Sequence, residues 1–310
     1  MKMLDAQSMT ANSVRYETAL VDGLNIAYRE AGDRQNPRLV LLHGFPSSSH
    51  QYRNLIPALA RRFHVIAPDY PGFGNSDIPD PANFNYTFDR LAEITEKFLK
   101  QEGFDRFGLY MQDYGGPVGF RIVTRNPEML EWLIIQNVNT YEVGFTKTWD
   151  GLRNGLWKER TTKTEQGVAS LLEFDTIRDL YLHGHKQPDL ISPDNWNMDF
   201  RFMERPNARR VNMDLLYDYR MNVALYPQWQ TFLREQQPKT IIFWGENDIF
   251  LTRDGGEAYL QDVPEAEMHW LDSGHFAVED CLEQIATNIR RFYDEKVTPV
   301  APTVASRKAG

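Results

Sequence analysis

The stretch Leu109-Tyr-Met-Gln-Asp113-Tyr114-Gly115-Gly116-Pro-Val-Gly119 decides how this chain is read. An apolar, strand-like run passes through a single acidic residue into two glycines and then a helical pattern. A tight strand-to-helix turn of this kind lifts one side chain above a sheet, the layout of a nucleophile elbow. The glycines after it let the backbone and the helix approach closely. The raised residue is usually serine; here it is Asp113. Two plainer readings stand beside that one. Asp113 could simply cap the following helix, a common job for aspartate. Gly115, Gly116 and Gly119 could form a nucleotide loop, although the pattern Gly-x-Gly-x-x-Gly is absent.

Outward from this turn, strand-like and helix-like segments alternate, which predicts a mostly parallel sheet covered by helices. Val14 to Val21 and Leu24 to Arg29, split by Asp22-Gly23, read as an opening hairpin. Arg38-Leu-Val-Leu-Leu42 is a continuous apolar run, the mark of a strand buried on both faces. Strands are also expected at His64–Asp69, Arg106–Met111, Leu130–Gln136, Thr240–Trp244 and Glu267–Leu271, eight in all with the hairpin. A helix is expected from Cys281 to Phe292, and another around Leu91, Ile94, Phe98 and Leu99. Between the sixth and seventh strands the texture is helical and rich in Trp, Tyr, Asn and Arg. That stretch is too long for a structureless loop, so residues 140–238 are expected to form a helical cap. The core is then one discontinuous domain, 14–139 with 239–295. Residues 1–13 and 296–310 carry no core pattern and are expected to be flexible tails.

The chemistry-bearing residues fall at strand ends. Covalent catalysis by a carboxylate needs a histidine to activate water and an acid to orient that histidine. Leu271-Asp-Ser-Gly-His275-Phe276 places His275 just after the last strand. Phe243-Trp-Gly-Glu-Asn-Asp248 places Asp248 just after the strand before it. Carboxyl ends of strands are where open α/β sheets put their sites. Each residue alone has a plainer reading, His275 as a core histidine and Asp248 as a turn residue, but together they form a nucleophile, acid and base in that order. Leu42-His43-Gly44-Phe45-Pro46 follows a buried strand and can aim the Phe45 backbone N–H at a developing oxyanion, with the N–H of Tyr114 as the second donor.

His43-Gly-Phe-Pro46, Asp69-Tyr-Pro-Gly-Phe-Gly-Asn-Ser76, Gln112-Asp-Tyr-Gly-Gly116, Gly245-Glu-Asn-Asp248 and Ser273-Gly-His-Phe276 together resemble the α/β-hydrolase branch that contains epoxide hydrolases and haloalkane dehalogenases. The likeness runs from about Val14 to Phe292; the cap matches only in size and position. It implies the α/β-hydrolase fold, a mostly parallel eight-stranded sheet with a helical cap inserted after the sixth strand. It implies that Asp113 attacks a substrate carbon to form an alkyl-enzyme ester, which water activated by His275 then hydrolyses. Some members take the acid from after the strand preceding the cap. Here that stretch reads Gln136-Asn137-Val-Asn139, so Asp248 is expected to be the acid.

The leaving group separates the two chemistries. A halide needs N–H donors, and dehalogenases commonly offer a Trp after the nucleophile plus an Asn or a cap Trp. This chain has Tyr114 and Phe45 at the first two places. An epoxide oxygen instead takes a proton, which tyrosine can supply. Leu216-Tyr217-Asp218-Tyr219-Arg220-Met221-Asn222 resembles the cap segment carrying such a tyrosine in epoxide hydrolases, and points to Tyr219. The same segment resembles one in fluoroacetate dehalogenases, but the arginines those enzymes keep near the nucleophile are missing, with Arg121 a turn away. For the second donor, Tyr141 and Tyr181 are in plausible places, and Tyr181 is taken. Met111 resembles the dehalogenase pattern. Epoxide opening is therefore the expectation, haloalkane or haloacid dehalogenation the alternative, and a catalytically silent binding protein the third. The last should have lost a member of the set, and none is lost.

Composition narrows the rest. With 310 residues, 43 acidic against 34 basic and a single cysteine, Cys281, the chain is long enough for a sizeable core and carries no intrachain disulfide framework. Its formal charge of −9 argues against nucleic acid as a partner, since phosphate binding needs surplus Lys and Arg. No apolar run approaches the roughly 20 residues that cross a bilayer, and the start has no signal-peptide pattern. A cytoplasmic monomer or homodimer is expected, with a small apolar or aromatic electrophile and water as its partners. No metal or cofactor is expected: His183-Gly-His185 is the one close histidine pair, without a third ligand nearby.

Overall fold

The structure is a computed structural model and describes residues 13–298. Eight strands form one sheet: β1 (Arg15–Val21), β2 (Leu24–Ala31), β3 (Arg38–Leu42), β4 (His64–Pro68), β5 (Phe107–Gln112), β6 (Leu130–Gln136), β7 (Thr240–Gly245) and β8 (Glu267–Leu271). Their order is β1-β2-β4-β3-β5-β6-β7-β8. β1 and β2 are antiparallel, β2 meets β4 antiparallel, and every pair from β4 to β8 is parallel. The continuous apolar runs of β3, β5 and β7 lie in the interior, while β1, at one edge, alternates exposed and buried positions only near its end. Uninterrupted apolar sequence is what a strand covered on both faces requires.

Alternation along the buried strands divides the core into two layers. Leu39 and Leu41 of β3, Tyr110 of β5 and Ile241 of β7 face one side, where helices α1 (Leu55–Leu59) and α9 (Leu282–Phe292) bring Leu55, Leu59, Ile285 and Ile289. Val40, Leu42, Leu109, Met111 and Ile242 face the other, against α2 (Phe88–Gln101), α3 (Gly115–Arg125) and α8 (Arg253–Asp262). Helix α9 is extended by a further turn, Tyr293–Val297, in which Tyr293 packs edge-on against Phe63 at 5.0 Å. The chain is thus ordered slightly past the start of the tail expected at residue 296. The rest of both expected tails, residues 1–12 and 299–310, lies outside the described residues.

Between β6 and β7 the named elements are all helical: short turns, then α4 (Thr162–Val168), α5 (Phe174–Leu182), α6 (Asp194–Met203) and the 29-residue α7 (Ala208–Gln236). Helix α7 is pinned to the sheet-side helices at two points one turn apart. Asp218 accepts a hydrogen bond from Phe88 N at 2.8 Å, and Asn222 Oδ1 accepts one from Arg121 Nη1 at 2.7 Å. Trp229 further along stacks on Phe120, with ring centroids 5.2 Å apart. No described helix, α7 included, is long and apolar enough to cross a membrane.

At the antiparallel end of the sheet, Glu30 is buried and accepts from His64 Nε2 at 2.6 Å, with Arg15 at 3.1 Å and Arg34 at 3.3 Å. Donation from His64 lowers its pKa most, burial opposes this, and the arginines reinforce the lowering, so the carboxyl is held down at about 2. The folded chain therefore binds fewer protons at Glu30 than the unfolded chain does below the ordinary glutamate value of 4.5. Its stabilisation is complete above that value and is lost as pH falls toward about 2. Denaturant midpoints measured between about pH 5 and 2 should accordingly fall more steeply for the native chain than for Glu30→Gln.

Candidate active site

Asp113 is the first residue after β5 and stands at φ +47°, in the left-handed backbone region that side chains rarely occupy. The turn is held by its neighbours: Asp113 N donates to Asn137 O at 3.2 Å, and Gly116 N donates back to Asp113 O at 2.9 Å. A Cβ on Gly115 would lie 2.1 Å from the Leu42 carbonyl oxygen, so only glycine lets α3 begin this close to the end of β3. The elbow is thus built by register between β5, β3 and β6.

The loop after β3 reaches over the raised side chain. Phe45 N donates to Asp113 Oδ1 at 2.7 Å, and the Tyr114 N–H also bonds the carboxylate. These are the two backbone donors read from the sequence, and both meet at one oxygen-bearing carbon. The other oxygen, Oδ2, lies 3.8 Å from His275 Nε2. His275 Nδ1 is 2.8 Å from Asp248 Oδ2, with both side chains buried. Asp113, Asp248 and His275, from three separate strand ends, therefore converge.

Two residues that the sequence reading left without a role complete the geometry. Gln112 Nε2 donates toward His275 Nε2 at 3.0 Å, while its Oε1 accepts from Gln51 Nε2 at 3.2 Å. An amide N–H facing Nε2 requires a lone pair there, so this hydrogen-bond network assigns the imidazole proton to Nδ1, toward Asp248. Asn137, at φ +43° directly after β6, donates to Asp248 Oδ2 at 2.9 Å and accepts from Gly245 N at 2.9 Å. Phe250 N supplies Asp248 Oδ1 with a 2.7 Å bond. The only signals for either residue in the sequence were position: Gln112 precedes Asp113, and Asn137 directly follows the strand beside it.

Burial shapes the acid–base balance. Desolvation raises the Asp113 carboxyl above its ordinary value, opposed by the His275 charge and the Phe45 and Tyr114 N–H bonds. For His275, burial disfavours the imidazolium, but the Asp248 carboxylate and its hydrogen bond, with Asp113 beyond, outweigh it and raise the pKa above 6.5. The buried carboxylates thus hold the imidazole as a stronger base than one in water.

Tyr219 and Tyr181 lie in different places. Tyr219, on α7, is buried and packs its ring 4.7 Å from Trp149, 5.9 Å from Trp157 and 6.0 Å from Tyr114. Burial and the nearby Asp113 charge push its phenol upward, so it stays protonated. Tyr181 is not brought to Asp113. Its ring stacks on Phe276 at 4.1 Å, and its hydroxyl donates to the buried Asp199, whose carboxyl is lifted to about 7 by burial. Tyr141 is also engaged elsewhere, donating to Asp262 at 2.5 Å. Tyr114, read only for its backbone, also carries a buried hydroxyl with no hydrogen-bond partner.

A cavity of about 30 Å³ opens onto Asp113 and His275, walled by Phe45, Tyr114, Phe250 and, from the insertion, Trp149, Leu152, Leu171, Leu180 and Leu216. That is room for about one or two water molecules. The walls are mostly apolar apart from Asp113 and His275, and side chains of the insertion must shift to admit anything larger.

A family model described as alpha/beta hydrolase fold matches residues 37–280. An uncharacterized hydrolase of Saccharomyces cerevisiae is 36% identical over 278 residues, covering 88% of this chain and 95% of that protein. A soluble epoxide hydrolase of a Corynebacterium species is 35% identical over 127 residues, 40% of this chain and 42% of that one. A haloalkane dehalogenase of Psychrobacter cryohalolentis is 41% identical over 106 residues, 34% of this chain and 35% of that one.

If the Asp248 carboxylate is what raises His275, then Asp248→Asn should leave burial in control. The imidazole titration, followed by NMR, is expected to move from above 6.5 to below it. An unchanged titration would remove Asp248 as the orienting acid.

Proposed function

The chain belongs to the alpha/beta hydrolase fold family, and from that premise we propose that it opens epoxides to diols through an ester on Asp113. Residues 14–139 and 239–295 are read as the catalytic core, and 140–238 as a cap over the nucleophile. The observation that carries the choice of leaving group concerns the two tryptophans of the insertion that pack against Tyr219. Trp149 Nε1 donates to Phe250 O at 2.9 Å, and Trp157 Nε1 donates to Leu216 O at 2.8 Å. Neither indole N–H is free to receive a departing halide, whereas the Tyr219 phenol beside them keeps its proton. A hydroxyl donor suits a leaving oxygen.

In the first step Asp113 Oδ2 attacks a ring carbon, the carbon–oxygen bond of the epoxide breaks, and the leaving oxygen takes a proton from Tyr219. No base is needed here. In the second, His275 Nε2 removes a proton from water, and the hydroxide attacks the ester carbonyl carbon. The charge that develops on the carbonyl oxygen lies where the Phe45 and Tyr114 N–H groups already point. Collapse releases the second alcohol, which takes the proton from His275. Asp113 is left with the remaining proton of water, and its loss balances the return of one to Tyr219. An apolar cavity wall suits a small apolar or aromatic epoxide.

Replacing His275 by Gln should stop the reaction at the ester. Intact mass spectrometry after incubation with styrene oxide is expected to show a gain equal to the epoxide; adduct with a bromoalkane alone would favour dehalogenation instead, and none with either would sink the aspartate mechanism. Tyr219→Phe should slow ester formation about 10²-fold or more with epoxides. An unchanged rate would remove Tyr219 from the reaction.

A further inference from the structure

The histidine pair His183-Gly184-His185, which finds no place in the reaction, lies in the loop between α5 and α6. That loop reaches down to the two strand-end loops that carry Asp248 and His275. Gly184 O accepts from Asn247 Nδ2 at 3.0 Å, and the same amide donates to Asp272 Oδ1 at 3.1 Å. Asn247 immediately precedes Asp248. The fit is close: Gly184 stands at φ +80°, and a Cβ there would come 2.5 Å from Asn247 O.

One residue later, His185 turns inward with its side chain fully buried, and its Nδ1 lies 3.0 Å from Asp280 Oδ2. Ser273 Oγ donates to Asp280 Oδ1 at 2.6 Å and lies 3.3 Å from His185 Nδ1. Ser273 and Asp280 bracket His275 on the same loop. Between them, Gly274 takes the His183 carbonyl oxygen against its Cα; a Cβ on Gly274 would meet that oxygen at 2.0 Å. The acid and base loops are also tied to each other, Glu246 N to Leu271 O at 3.0 Å and Asn247 N to Ser273 O at 3.1 Å. Three consecutive residues of the insertion thus close the back of the Asp248–His275 pair.

We propose that His185 is a positioning residue for His275: by holding Asp280 and Ser273 it sets the loop on which the base sits, and so couples the seating of the insertion to water activation. The inference rests on the reading of Asp113 as nucleophile and His275 as base. Under that reading the two half-reactions respond differently. Ester formation uses Asp113 on a separate loop and needs no base. Ester hydrolysis needs His275 Nε2 aimed at water, and a displacement of about 1 Å costs about 10²-fold. A loop that merely packs would affect both steps only through folded stability.

The test is rapid quench with styrene oxide, following ester formation and ester hydrolysis separately by mass spectrometry in the full-length native chain, His185→Ala, His185→Asn and Asn247→Ala. His185→Ala should slow hydrolysis at least about tenfold, with ester formation within about twofold, so that ester accumulates. His185→Asn keeps a donor for Asp280 and should recover most of the lost rate. Asn247→Ala, which opens the other half of the clip, should shift the same step in the same direction and carries the comparison if His185→Ala does not fold. Equal slowing of both steps, or no slowing of hydrolysis, overturns the inference while His275→Gln still traps ester. If His275→Gln and the native chain form no ester at all, the nucleophile reading itself has failed, and this inference falls with it.

Discussion

A carboxylate held out of water and out of ordinary backbone geometry is the constraint around which this molecule is built. Asp113 at φ +47° follows a strand with every residue buried, and its charge is sustained by the Phe45 N–H at 2.7 Å and by His275 at 3.8 Å. Strain and desolvation both work against such a residue, so the surroundings must over-determine it. They do so from four other strands of the sheet. The end of β3 supplies the donor loop, β6 supplies Asn137, β7 supplies Asp248 and β8 supplies His275. A parallel sheet, which brings all these carboxyl ends to one edge, is the architecture that allows this.

The buried His275 follows the same logic. His275 in isolation would be disfavoured as a cation by its burial, and Asp248 reverses that. Asp248 in turn is made tolerable by donors from Asn137 at 2.9 Å and Phe250 at 2.7 Å. Each polar group is satisfied by one further from the reacting atoms, ending at backbone. Satisfied buried networks of this kind hold one arrangement and are sensitive to the loss of any member. The insertion adds the apolar side of the site. It brings Trp149 and four leucines over the cavity, and α7 holds Tyr219 between its two anchors at Asp218 and Asn222.

Much of the sheet was legible from hydrophobic pattern, because strands buried on both faces leave long apolar runs such as Arg38–Leu42 and Leu130–Gln136, whose bounds the structure reproduces. Asp113, Asp248 and His275 were legible as a group because each stands at or within a few residues of the end of such a run. Gln112 and Asn137 were not, since an amide announces nothing about its partner and their roles depend on register across neighbouring strands. Tyr181 shows the converse limit. Its position in the inserted segment suited a donor, but α5 turns its hydroxyl toward Asp199, and only the packing of α5 on α6 decides that direction. The partners of His185 were hidden for a similar reason, as they lie about 90 residues away.

The central claim is that Asp113 itself supplies the oxygen transferred to the substrate. One turnover in water enriched in oxygen-18, with enzyme in excess over styrene oxide, tests it directly. The account predicts a diol whose new hydroxyl carries no label, with the label found instead in the peptide containing Asp113. A diol labelled in that first turnover, with Asp113 unlabelled, would mean that water attacks the substrate directly and would contradict the account.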